Sequence, residues 1–118
     1  MIEAAEHVAS MVANISIPKF EADDMLSSAV QYRLMVIGEA CSRLAEATMS
    51  LMQAAPFPQI RGFRNRIVHG YFAVDLEVVW EVATVHVPAL ALEAEEALRQ
   101  LFPDTYERLM ERRASGER

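Results

Sequence analysis

Apolar residues recur three or four positions apart through most of the chain, which is the spacing that places them on one face of an α-helix. Over residues 1–14 this pattern predicts a short first helix, which ends at the breaker Ile15-Ser16-Ile17-Pro18. The strongest stretch advances by 4, 4, 3, 4, 3 and 4 positions through Leu26, Val30, Leu34, Ile37, Cys41, Leu44 and Thr48. It predicts a long amphipathic helix that Asp23 or Asp24 caps at its start and that has a break near residues 45–48.

The second half of the chain follows the same helical spacing. A short and unusually polar helix is predicted over Pro58–His69, with Gly70 as its stop. Asp75 is suited to cap a fourth, longer helix, in which Pro88 predicts a kink. No segment alternates between apolar and polar residues as a strand does. The chain is therefore predicted to be all-α, an up-and-down bundle of four to five helices whose last long helix is kinked.

Length and composition fit one small domain, because the chain has 118 residues, of which 53% are hydrophobic and 24% charged. Residues 1–103 are assigned to a single helical domain, and residues 104–118 to a charged C-terminal tail that is a frayed helix or disordered. Cys41 is the only cysteine, so no internal disulfide is expected. Neither a secretory signal nor an apolar run of about 18 residues is present. These features predict a cytoplasmic protein that does not span a membrane.

Metal and cofactor chemistry is not expected from the residues. The one cysteine and the three histidines, at positions 7, 69 and 86, lack the spacing of metal ligands. The nearest glycines to each other in the polar segment, Gly62 and Gly70, do not form a phosphate-binding loop. The predicted site therefore has to work with protein side chains alone.

The distribution of charge singles out one segment. The formal net charge of -6 argues against a general nucleic-acid coat protein. However, the stretch from Ala47 to Val74 contains no acidic residue, and it carries Arg61, Arg64 and Arg66. Such a window in an acidic protein predicts a local site that attracts anions.

The same window holds the groups that phosphate chemistry needs, a guanidinium to hold charge and an imidazole to move a proton. On an ideal helix Asn65 and His69 share a face, whereas Arg64 lies about 140° around the axis from His69. Two copies of the segment related by a two-fold axis would form one cleft with two arginines and two histidines. The structural alternative is that the arginines cap or pair with neighbours and the histidine packs in the core.

Three short strings, which follow one another along the chain in the order of the family, resemble the signature of HepT-type toxins. These toxins belong to the HEPN superfamily of helical domains. The main string is Arg64-Asn65, then His69 and Tyr71, in the pattern R-N-x-x-x-H-x-Y. The others are Ile37-Gly38-Glu39-Ala40 on the long helix and Val87-Pro88-Ala89-Leu90 on the last one. The resemblance runs from about Leu26 to Leu101, which is most of the chain.

The resemblance implies a metal-independent endoribonuclease without a cofactor, acting as a homodimer and as the toxin of a bacterial toxin–antitoxin pair. His69 would then move a proton at the ribose 2′-OH or at the departing 5′-oxygen, and Arg64 would stabilise the negative charge of the transition state. Asn65 would orient His69 or the phosphate. Glu39 would hold an active-site arginine, with Gly38 allowing the helices to approach closely.

Two further assignments stay open at the level of the residues. In HepT-like proteins the tyrosine at the position of Tyr71 receives AMP from an MntA-type nucleotidyltransferase antitoxin, whereas the simpler interpretation is that Tyr71 packs with Phe72. Glu39 also stands four residues before Arg43, and that spacing favours an ion pair within the helix.

Two other functions remain as alternatives to the ribonuclease. One is a non-catalytic helical binding module that partners a nucleotidyltransferase and presents RNA or a nucleotide to it. The other is a purely structural dimeric bundle whose arginines are solvated. RNA cleavage by the isolated protein separates the ribonuclease from both.

Overall fold

The computed structural model of this chain describes residues 1–68 and 75–116. Its α-helices are α1 (Ile2–Val12), α2 (Ile17–Ala22), α3 (Asp24–Ser42), α4 (Glu46–Ser50), α5 (Phe57–Val68), α6 (Leu76–Glu81), α7 (Val87–Leu101) and α8 (Pro103–Ala114). No strand occurs in these residues, which confirms the all-α prediction. Within the same ranges no helix combines the length and the apolar character needed to cross a membrane.

Polar side chains cap the helix starts where the sequence predicts them. Asp23 Oδ1 accepts the backbone N–H of Leu26 at 3.0 Å at the start of α3. Asp75 Oδ1 accepts that of Glu77 at 2.9 Å at the start of α6. These bonds satisfy donors that have no partner inside the helix. Pro18, predicted as a breaker, lies in the first turn of α2, where a proline loses no helical hydrogen bond.

The long second helix ends earlier than its apolar pattern suggests. The pattern continues to Thr48, but α3 ends at Ser42 and α4 begins after a gap of residues 43–45. The Ser42 hydroxyl donates to the Glu39 carbonyl at 2.7 Å, and the Arg43 N–H turns to the Ala40 carbonyl at 3.2 Å. The side chain thus competes for the carbonyl that would continue the helix.

The irregularity predicted at Pro88 is a π-helical turn that joins α6 to α7. It spans Val82–His86, and the N–H of Val87 donates to the carbonyl of Val82, five residues back. Pro88 has no N–H to give to the carbonyl four residues back, so a change of hydrogen-bond register just before it is the expected response.

The hydrophobic core is built around α3, which packs against both α1 and α5, while α1 also packs against α7. The largest fully buried side chains are Phe20, Leu34, Ile37, Met52, Leu90, Val8, Val30, Val79 and Val87. The rings of Phe20 and Trp80 lie 5.2 Å apart between centroids and are tilted, which is a favourable aromatic arrangement. This packing fixes the position of α5, on which the arginines lie.

The last described helix, α8, covers most of the segment that the sequence assigns to a charged tail. None of its residues is buried. Its end is held by Arg113, which donates to Glu6 on α1 at 2.7 Å and also to Glu95 on α7. These two carboxylates raise the pKa of Arg113. Charged groups therefore tie the end of α8 to both α1 and α7.

Candidate active site

Helices α3 and α5 approach each other closely where Gly38 meets Arg64. A Cβ atom placed on Gly38 would lie 2.9 Å from the Cβ of Arg64, 3.2 Å from its Cγ and 3.4 Å from its Cδ. The first distance is shorter than real Cβ contacts allow, so a side chain at position 38 would displace the arginine. Glycine at this position therefore lets the stem of Arg64 lie directly against the backbone of α3.

The carboxylate of Glu39 holds the guanidinium of Arg64. Glu39 Oε1 accepts a hydrogen bond from Arg64 Nε at 2.7 Å, and Arg64 Nη2 lies 2.5 Å from the same oxygen as an ion-pair contact. The Glu39 side chain keeps 41% of its surface exposed and the Arg64 side chain keeps 28%, so solvent still reaches the pair. The charge-assisted hydrogen bond and the ion-pair contact together hold the guanidinium beside the cleft.

The prediction of an ion pair within α3 between Glu39 and Arg43 is wrong. Glu39 makes no ion pair with Arg43 in the described structure, because its carboxylate is taken by Arg64. The spacing rule also fails for a local reason: α3 ends at Ser42, so Arg43 has left the helical geometry that would bring the two side chains together.

A cleft of about 110 Å³ lies beside this ion pair. Its lining comes from both helices: Gly38, Cys41, Ser42, Phe57, Arg61, Arg64 and Asn65. Arg61, Arg64 and Asn65 lie at i, i+3 and i+4 on α5, so one face of the helix presents all three. Arg66 belongs to the same acid-free window but does not line the cleft. The structure thus brings Arg64, Asn65 and Arg61 together.

No role is predicted for Arg61 from the sequence, although it belongs to the window. The signal that places it in the cleft is its spacing of three from Arg64, which was available in the sequence. Phe57 and Ser42 carry no such signal, because they reach the cleft only through the packing of α3 on α5.

Cys41 contributes a half-buried thiol to the cleft. Burial raises the pKa of Cys41 to about 11, with smaller opposing effects from the N-terminal ammonium and Arg61. The thiol therefore stays protonated near neutral pH, and only a thiolate is reactive.

The predictions for His69 and Tyr71 lie outside the described residues. Helix α5 ends at Val68, directly before His69. The roles predicted for both residues therefore stay predictions.

Outside the cleft, residues 1–68 and 75–116 contain a larger groove but no cluster of candidate metal ligands. No three histidine, cysteine or acidic side chains of these residues are grouped so as to hold a metal ion. A larger groove of about 610 Å³ lies among α1, α4, α7 and α8 and is lined mostly by apolar side chains. It contains none of the predicted site residues, so size alone would have pointed away from the arginine segment.

Comparisons with known proteins point in one direction. The sequence model of a family described as "Ribonuclease HepT-like" matches residues 1–97. The chain is 28% identical over 85% of its length to "Putative RNase TTE0752" of Caldanaerobacter subterraneus, of which it covers 89%. It is 27% identical over 86% of its length to "Putative RNase MJ1216" of Methanocaldococcus jannaschii, of which it covers 84%. It is also 28% identical over 75% of its length to "Probable ribonuclease HepT" of Thermococcus cleftensis, of which it covers 80%. No solved structure matches the chain.

Proposed function

We propose a function from one premise: this chain belongs to the HepT-like ribonuclease family. Membership confirms both the resemblance read from the sequence and the prediction of a ribonuclease. Within that class we propose a metal-independent endoribonuclease that acts as a homodimer and as the toxin of a bacterial toxin–antitoxin pair. The observation that carries this proposal is the Arg64 guanidinium, which Glu39 holds in a cleft and which precedes His69 by five residues in the sequence.

The proposed reaction needs only protein side chains. The ribose 2′-oxygen attacks the adjacent phosphorus as His69 takes its proton, and the bond from phosphorus to the 5′-oxygen breaks as that oxygen takes a proton from water. The products are a 2′,3′-cyclic phosphate and a 5′-hydroxyl. Arg64 stabilises the extra negative charge on the phosphorane-like transition state, a task suited to a guanidinium that does not deprotonate. Asn65, exposed on the same cleft, orients the phosphate or His69.

In this proposal the homodimer brings an arginine and a histidine to the same phosphate. Arg64 and His69 of one chain lie about 140° apart on an ideal helix, so they do not meet easily on one phosphate. A two-fold axis that sets two α5 segments face to face places Arg64 of one subunit opposite His69 of the other.

Cleavage in the presence of EDTA tests the proposal. The purified protein is expected to cut RNA with excess EDTA, leaving 2′,3′-cyclic phosphate ends, because no step uses a metal ion. The same sequence made with 2′-deoxyribose is expected to stay intact, because it lacks the attacking oxygen. Cleavage that requires a divalent cation, or equal cleavage of the 2′-deoxy strand, contradicts it. RNA binding without any cleavage favours the non-catalytic binding module.

The regulatory part of the proposal concerns Tyr71. An MntA-like nucleotidyltransferase antitoxin would transfer AMP to its hydroxyl, adding bulk and negative charge beside the cleft where an RNA phosphate binds. Incubation with the cognate transferase and ATP is expected to add one AMP to the intact mass and to abolish RNA cleavage.

Two tyrosine variants make this test specific. Tyr71→Phe is expected to gain no AMP and to remain active, whereas the matched control Tyr32→Phe, at an exposed tyrosine on α3, is modified like the parent. An equal adduct on Tyr71→Phe contradicts the assignment. In cells, expression of the chain is expected to stop growth, and co-expression of the transferase to restore it.

A further inference from the structure

Arg61 is the cleft residue whose positive charge is not paired within the described structure. It is exposed, lines the cleft one turn before Arg64, and makes no ion pair or hydrogen bond with any described residue. Arg64, by contrast, has Nε and Nη2 on the Glu39 carboxylate. The charge of Arg64 is thus paired with a carboxylate, whereas the charge of Arg61 is not.

The charge balance of the cleft follows from this difference. The carboxylate of Glu39 offsets the positive charge of Arg64, and neither Asn65, Ser42 nor Phe57 carries a charge. Arg61 therefore supplies the uncompensated positive charge, and the absence of acids from residues 47–74 leaves it unopposed along the chain. The charge of Arg61 acts to lower the pKa of the Cys41 thiol, which indicates that this charge acts inside the cleft.

We infer that Arg61 binds the phosphate next to the one that is cleaved and so positions the RNA strand along α5. Residues three apart on a helix have Cβ atoms about 5–6 Å from each other, so Arg61 and Arg64 suit two successive phosphates of one strand. A free, exposed guanidinium attracts the incoming strand, whereas the guanidinium fixed by Glu39 acts on the reacting group. This inference rests on the proposed ribonuclease function of the same cleft.

Binding of an RNA that cannot be cleaved tests Arg61 separately from catalysis. The probe is a short single-stranded 2′-O-methyl RNA, whose Kd is measured over a series of salt concentrations for the wild type, Arg61→Ala, Arg61→Lys and Arg66→Ala. Arg61→Ala is expected to weaken binding about tenfold, as for the loss of one charge-assisted contact. Its slope of log K against log salt is expected to fall by about 0.7, the value for one phosphate contact on a single strand.

The remaining variants and the kinetics complete the test. Arg61→Lys keeps a positive charge and is expected to recover most of the salt slope. Arg66→Ala removes the same charge from the same helix, outside the cleft, and is expected to change the slope little. With cleavable RNA, Arg61→Ala is expected to raise KM about tenfold and leave kcat within about twofold, because the contact to the neighbouring phosphate is equally strong in the bound substrate and in the transition state.

Several outcomes overturn the inference. It fails if Arg61→Ala and Arg66→Ala have the same affinity and salt slope, if Arg61→Ala lowers kcat at unchanged KM, or if the wild type does not bind the probe. If the wild type binds the probe but cuts no RNA, the proposed cleavage fails, while a selective loss of binding in Arg61→Ala still supports the role of Arg61.

Discussion

Replacing Arg64 with alanine is expected to lower kcat for RNA cleavage about 100- to 1,000-fold, the usual loss when one preorganised transition-state donor is removed. The structure gives the reason: Glu39 holds Nε and Nη2, so the guanidinium is fixed in the cleft before substrate arrives. The variant is expected to stay folded, since Arg64 is a partly exposed side chain. Arg66→Ala, on the same helix but outside the cleft, serves as the control and is expected to keep its kcat.

The same variant also tests whether the site is shared between two subunits. His69→Ala is expected to be as inactive as Arg64→Ala. If Arg64 of one subunit works with His69 of the other, a mixed dimer of the two variants contains one intact site. After random exchange half of the dimers are mixed, so roughly a quarter of the wild-type activity is expected to return.

Two results of this mixing experiment are decisive. Recovery of activity after subunit exchange supports the composite site, and the same mixture without exchange is expected to stay inactive. No recovery in a sample whose mixed dimers are verified by mass shows that Arg64 and His69 of one chain act together. A near-normal kcat in Arg64→Ala alone removes Arg64 from the chemistry.

Replacing Gly38 with alanine is expected to damage both stability and activity. The new Cβ would lie 2.9 Å from the Cβ of Arg64, so either the helices separate or the arginine moves. Overpacking of this kind costs about 1–3 kcal/mol, and the better helix propensity of alanine returns about 0.5–1 kcal/mol. The free energy of unfolding is therefore expected to fall by up to about 2.5 kcal/mol. Displacement of Arg64 from Glu39 is expected to lower kcat about 10- to 100-fold.

Gly62→Ala is the matched control for this prediction, because Gly62 also lies inside a helix but a Cβ there meets no atom within 4 Å. It is expected to raise the free energy of unfolding by about 0.5–1 kcal/mol, through helix propensity alone. Denaturant unfolding and initial cleavage rates of the two variants measure both effects. Equal shifts of the same sign in the two variants contradict the proposed close packing at Gly38.

Much of the helical framework is predictable because it depends on neighbours in sequence. The caps at Asp23 and Asp75 form as expected, since an N-cap side chain bonds to a backbone N–H two or three residues ahead. The early end of α3 is not predictable from apolar spacing, because the hydrogen bonds of the Ser42 hydroxyl and the Arg43 N–H at that end do not depend on this spacing. Apolar periodicity indicates which face of a helix is buried, and it does not report the local hydrogen bonds at the end of the helix.

The sequence by itself determined the all-α class, the acid-free arginine window and the family motif, since these depend on local spacing and on residue identity. Only the tertiary structure decided which arginine Glu39 holds. Sequence spacing favoured Arg43, four residues away, whereas the actual partner is Arg64, 25 residues away. The same packing of α3 on α5 brought Ser42 and Phe57 to the cleft. Such relations depend on how two helices meet in space, and helical periodicity carries no information about the distance between them.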